Sequence, residues 1–195
     1  MAKLEFYEDT HTYTLDGKIV PSVTQVINAV GLYEFEFVNR NTLAVAAERG
    51  LIVHECIEFF ERGELDETSI DPELRGYFEA YLECRKVYFP QGPIAIEERV
   101  YSEQYQYAGT LDQEFEGGWI NDIKTGAPSP THGLQLTGYW LAKHGKTKKP
   151  TRLTGTYLQP GGRFRLKDYP YEPGAWLAVL ADYRWRHKYN LLKKV

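Results

Sequence analysis

The stretch "GTLDQEFEGGWINDIKTG", Gly109 to Gly126, decides how this chain is read. Two arms suited to β-strands flank Gly117-Gly118, so it forms a hairpin. Aspartate and lysine are poor strand formers, yet Asp112, Asp122 and Lys124 sit inside the arms. Residues i and i+2 of a strand share a face, so Asp122 and Lys124 project together and Ile123 points away. Loop length decides where Asp112 points. A two-residue turn pairs Glu116 with Trp119, and Asp112 then opposes Ile123. A three-residue loop, Glu116 to Gly118, pairs Phe115 with Trp119 and sets Asp112 opposite Asp122. The glycines supply the left-handed residue that three-residue hairpin loops use, so the odd-length loop is expected.

In that register two carboxylates lie roughly 5 Å apart across the ladder, with an ammonium beside them. One would resist ionising unless a cation intervened. Hard carboxylate oxygens, with the backbone carbonyl of Ile123, suit Mg²⁺ or Mn²⁺, as one or two ions. Lys124 could then orient or deprotonate water and stabilise charge on a phosphoryl oxygen. The plain alternative is an exposed Asp–Lys pair, worth ~0.2–1 kcal/mol.

The rest of the chain frames the hairpin. Its 195 residues suit one domain, 1–195, divided into an N-terminal hairpin and helices (1–90), a catalytic sheet and helix (91–170) and a closing helix (171–195). Around Asp16-Gly17, residues 4–20 read as a hairpin. Ser22 and Gln25 form a capping box that opens a short helix to about Val30. Helices follow over Asn41–Arg62, with Leu43, Ala47, Leu51, His54 and Ile57 on related faces, and from Asp71-Pro72 to about Tyr88. Strands are expected at 94–102, 107–115, 119–124, 151–159 and 163–167, and helices at 131–143 and from Glu172-Pro173 to about Leu192. Helices, a meander, a helix, more strands and a last helix indicate an α+β (mixed α/β) domain: a central mixed sheet flanked by helices, with an N-terminal hairpin and helical annex.

Charge is unevenly spread. Residues 1–116 hold 9 Lys/Arg against 23 Asp/Glu, whereas residues 117–195 hold 14 against 4. An acidic partner would meet the second half, and DNA is such a partner. No apolar run has the roughly 18 residues of a membrane span, and MAKLEFYEDT lacks the apolar core of a signal peptide. Cys56 and Cys84 are too few for a disulfide framework or a metal ligand set, so a cytoplasmic setting is expected.

Gly-Thr-Leu-Asp112, then Asp122-Ile-Lys124-Thr-Gly, then Gln135-Leu-Thr-Gly-Tyr139 resembles the PD-(D/E)XK nuclease superfamily. The branch it is most similar to is the RecB-like and phage exonuclease group, which includes the mitochondrial genome maintenance exonuclease. Arg49-Gly50 ahead of His54 matches an upstream helical motif of that group, and Glu97 matches an acid on the preceding strand by spacing. The resemblance covers about residues 20–160 and implies a restriction-endonuclease-like core. It further implies that Asp112, Asp122 and His54 hold the metal, that Lys124 is the catalytic lysine, and that Gln135 and Tyr139 position lysine, water or phosphate. Strand alternation, however, puts Ile94, Ile96, Glu98 and Val100 on one face and turns Glu98 inward in place of Glu97. The acid at Asp122, where a glutamate is common, shortens the reach by one methylene.

Two other motifs fail. Gly145-Lys146-Thr147 would need a glycine at 140 to end a phosphate-binding loop, and Trp140 stands there, so no nucleotide is expected. The four cysteines of an iron–sulfur cluster are absent. The expectation is a Mg²⁺/Mn²⁺-dependent deoxyribonuclease, an exonuclease ahead of a structure-specific or restriction-like endonuclease, with a catalytically inactive DNA-binding module as the third reading. Lys143, Lys146, Lys148, Lys149, Arg152, Arg163 and Arg165 would track the DNA backbone. The setting would be phage or bacterial recombination or replication, with a protein of that machinery as partner.

Overall fold

In the computed structural model, residues 2–32 and 40–192 are described. The central sheet has five strands in the order β4-β5-β6-β7-β8: β4 (Ala95–Ser102), β5 (Tyr107–Phe115), β6 (Trp119–Lys124), β7 (Arg152–Leu158) and β8 (Phe164–Tyr169). All neighbours are antiparallel except β6 and β7, which are parallel. Parallel neighbours need a crossover, and α4 (Thr131–His144) supplies it. The fold is the mixed α+β architecture expected from the sequence.

The β5–β6 hairpin has the odd-length loop. Phe115 pairs with Trp119 and Gln113 with Asn121, and Gly117 and Gly118 both have positive φ, +80° and +83°. Both strands match their expected bounds. Elsewhere the ends shift. The helix from Asp71-Pro72 forms only at α3 (Arg75–Tyr88), and the last helix, α5 (Pro173–Lys188), stops before Leu192.

The sheet is covered on both faces. On one, α1 (Val23–Ala29), α4 and α5 enclose Val23, Ile27, Leu111, Leu136, Trp140 and Trp176. Each such side chain fully buried is worth roughly 1.5–3 kcal/mol. On the other face, α2 (Arg40–Arg62) and α3 bury Val53, Ile57, Tyr77 and Tyr81 against Ile123 and Leu158. Of the α2 residues expected on related faces, Ile57 is buried and Leu51 is 62% exposed, and Val53 joins Ile57 in the buried stripe.

The N-terminal segment is a three-stranded antiparallel sheet, β1 (Leu4–Tyr7), β2 (Thr12–Leu15) and β3 (Lys18–Val20). The single expected hairpin is too simple here, because a 3-10 turn at Glu8–Thr10 folds the first arm back on itself. The Ser22 capping box forms, with the Ser22 side chain bonded to Gln25 N and the Gln25 side chain to Ser22 N.

Candidate active site

The β5–β6 ladder runs from Phe115–Trp119 to Gln113–Asn121, and Asp112 and Asp122 are the next residue of each strand beyond it. Asp112 Oδ2 accepts a 2.7 Å hydrogen bond from the backbone N–H of Ile123. Asp122 is 1% exposed, and its Oδ1 is buried with no hydrogen-bond partner. Its contact is the ammonium of Lys124, two residues along the same face. A buried carboxylate so poorly satisfied is costly.

α2 brings His54 over this end of the sheet. Its Nε2 donates to the Ile123 carbonyl at 2.9 Å, and its Nδ1 lies 3.1 Å from Glu97 Oε1 and 3.6 Å from Asp112 Oδ2. Burial disfavours the charged imidazole, but the carboxylates of Asp112 and Glu97 outweigh it and raise His54 to about 9. Both ring nitrogens therefore donate. Asp112 is pushed upward, first by burial and then by Asp122.

Glu97 reaches His54 because β4 turns over at that residue. Its φ is +45°, uncommon for a residue with a side chain. The ladder pairs Ile96 with Gln113 and Glu98 with Leu111, skipping Glu97 and Asp112. Ile96 packs on the α2–α3 side, whereas Val100 lies in the α4-side core. Alternation is thus broken, and Glu98 does not take the inward place that alternation assigns it. Glu98 meets Lys143 on the α4 face.

α4 supplies the remaining wall. Gln135 Nε2 donates to the Tyr139 hydroxyl at 2.9 Å. Gly109 makes room for that ring: a Cβ there would come within 2.6 Å of Tyr139 Cε1. Burial, followed by the charges of Asp122 and Asp112, holds the Tyr139 phenol well above its usual range, so it stays protonated.

The fit to a divalent cation rests on these donors. Among the described residues, the group whose ligand atoms all lie within 4.8 Å of one another is His54, Glu97 and Asp112. The expected set of Asp112, Asp122, His54 and the Ile123 carbonyl differs: Asp122 turns to Lys124, and the carbonyl accepts from His54. Two carboxylates and an imidazole at one point, with buried Asp122 near enough to raise Asp112, are a donor set that Mg²⁺ or Mn²⁺ fits.

The expected cationic track is not assembled at this site. Arg152 pairs with Trp119, at the opposite end of β6 from Lys124, and Lys148 and Lys149 line a cleft with Gly118 and Trp140 beside the hairpin tip. Lys143 is held between Glu98 and Glu114, and Arg152 is bonded to Asp168. Arg165 is different, since it pairs with Tyr157, which pairs with Lys124. Arg163 is the residue before β8, exposed near the same end.

Several contributors escaped the sequence reading. Gln113 Nε2 donates to Tyr81 OH at 2.7 Å, and Asn121 Nδ2 to Gln113 Oε1 at 3.0 Å. Thr154 and Thr156 both donate to Asn121 Oδ1 at 2.9 Å. This satisfied network stiffens the back of β5 and β6. Two polar residues paired at 113 and 121 were its legible signal. Beside Asp122, Gly155 leaves room for the Tyr157 hydroxyl, 2.9 Å from where a Cβ would stand. Tyr157 OH bonds His132 Nδ1 at 2.7 Å, and burial lowers His132 to about 4.

The architecture is a mixed α+β fold with a five-stranded central sheet covered by helices on both faces. A solved structure described as a "putative exonuclease" from Eubacterium rectale matches it with a TM-score of 0.54 at 12% sequence identity, over 91% of this chain and 77% of that one. At that identity the likeness speaks for the fold alone. No family model matches the sequence, and no curated protein matches it. No helix among the described residues is long and apolar enough to cross a membrane.

Proposed function

We propose that this protein is a divalent-metal-dependent deoxyribonuclease that hydrolyses phosphodiester bonds, working as an exonuclease in the cytoplasm of a bacterial or phage-infected cell. The observation that carries the reading is the gathering of His54, Glu97 and Asp112 at one end of the β5–β6 hairpin, beside buried Asp122, whose Oδ2 meets Lys124 and whose Oδ1 has no partner. The exonucleolytic sense comes from the sequence resemblance, together with the description of the structural neighbour as an exonuclease.

Mg²⁺ or Mn²⁺, held by Asp112 and Asp122 with His54 and Glu97 at its side, would supply Lewis acidity toward the phosphodiester and water. Lys124, paired with Asp122, presents an ammonium where charge grows on the phosphoryl oxygens. The protonated Tyr139 hydroxyl, held by Gln135, can donate a hydrogen bond to the phosphate or to water. For His54 to become a metal ligand it must give up a ring proton and its bond to Ile123 or Glu97.

The test compares end-labelled linear DNA with a covalently closed circle in Mn²⁺. Digestion of the linear form with the circle intact supports the exonuclease; opening of the circle makes the site endonucleolytic. DNA that is bound but uncut in both forms overturns the enzyme reading.

A further inference from the structure

The last two turns of α5 do not belong to the site, yet they are unusual in composition. From Tyr183 to Leu192 the chain holds Arg184, Arg186 and Lys188 and no acidic residue, interleaved with Tyr183, Trp185, His187 and Tyr189. A helix end that only capped the fold would turn its aromatics inward. Here Trp185 is 57% exposed and Tyr189 54%. Their rings pair at 5.4 Å, and those of Tyr183 and His187 stack at 5.9 Å. A cleft of about 510 Å³ opens beside them, lined by Tyr183, Arg184, His187 and Lys188 and by Pro21 and Gln25.

Tyr105, in the turn between β4 and β5, joins this helix end to the basic loop. Its carbonyl accepts from Arg184 Nη2, and the Lys146 ammonium stands 5.2 Å from its ring centroid. Lys146, Arg184 and Lys188 are therefore one continuous cationic band. That turn lies at the Lys124 end of the sheet. β5 runs antiparallel to β6, so the start of β5, which follows that turn, and the Lys124 end of β6 lie on the same side of the hairpin.

We propose that this band binds single-stranded DNA, with the phosphates following Lys146, Arg184 and Lys188 and bases stacking on Trp185 and Tyr189. Exposed aromatics interleaved with cations are what a strand with unpaired bases requires; a duplex hides its base faces. A second protein would need acidic and apolar surface together to match the band, whereas a single strand offers both along its length. The choice of DNA rests on the nuclease reading above.

The test measures binding of fluorescent oligo-dT in EDTA, so no cleavage is involved. Binding is read without cleavage, so a protein that binds oligo-dT through these rings but never cuts DNA keeps this surface and loses only the catalytic reading. Trp185→Ala/Tyr189→Ala, checked for an unchanged melting temperature, should weaken binding by roughly 10- to 100-fold. Lys146→Ala/Lys188→Ala should flatten the dependence of log K on log salt by about 1.4, two single-strand phosphate contacts. Oligo-dT should also quench wild-type tryptophan fluorescence, with Trp185→Phe losing most of the quench. Unchanged affinity in Trp185→Ala/Tyr189→Ala, or a duplex bound as tightly through the same rings, overturns the proposal.

Discussion

Two clusters on the same sheet contain the same kinds of residues and end in opposite states. One is the site: Asp112, Asp122 and Glu97 with His54 and Lys124. The other, on the α4 face, is Glu98 and Glu114 with His144 and Lys143. In the second, Lys143 bridges both glutamates and His144 Nε2 lies 2.9 Å from Glu114 Oε1. Two acids there meet a lysine and a histidine on the α4 face, Glu98 just past the turned-over Glu97 and Glu114 opposite Ala95. At the site a third acid is added, the same turn at Glu97 delivers it, and Asp122 Oδ1 is buried without a partner. The histidines report the contrast. His54 is raised by Asp112 and Glu97 against its burial, whereas burial lowers His144 despite Glu114. Composition alone does not separate the two clusters; the surplus negative charge at the site does.

The comparison can be broken by making matched changes in the two clusters. The largest effect is expected from Lys124→Ala, which should slow single-turnover cleavage by about 100-fold or more; a variant as fast as wild type removes Lys124 from the chemistry. Next, saturating Mn²⁺ should raise the wild-type melting temperature by several degrees, about 2.7 kcal/mol at a hundredfold excess over Kd. Asp112→Asn should lose that shift and Glu114→Gln keep it, as differential scanning fluorimetry would reveal. Lys143→Met should lower stability by about 1–3 kcal/mol, since it leaves Glu98 and Glu114 facing each other without their bridge; urea melts would measure it. The smallest effect has the opposite sign. Asp122→Asn removes a buried charge and should leave the metal-free protein as stable as wild type or up to ~1 kcal/mol more so. A large loss would mean that Asp122 and Lys124 are a structural pair.

The sequence carried much of this. The β5–β6 hairpin was legible to its ends because Gly117-Gly118 punctuates two alternating arms and loop parity leaves two choices. The Ser22–Gln25 box was legible because a cap is a local pattern. Glu97 was not settled, because alternation presumes a regular strand and a left-handed non-glycine residue leaves no trace in the sequence. Part of the expected cationic track lies away from the site for a topological reason. A parallel partner for β6 requires α4 to return the chain to the starting end of that strand, so Lys148, Lys149 and Arg152 arrive beside the hairpin tip. The basic end of α5 was passed over because a helix end rich in arginine and lysine is also what capping favours; only exposure of Trp185 and Tyr189 distinguishes it.

The central claim is that the surplus charge at the hairpin is a divalent-cation site. Calorimetric titration of Mn²⁺ into the metal-free protein tests it most directly, in wild type, Asp122→Asn and Glu114→Gln side by side. Wild type and Glu114→Gln should take up the ion with the same affinity, and Asp122→Asn should bind at least about tenfold more weakly. Equal uptake by all three, or none by wild type, would contradict the account.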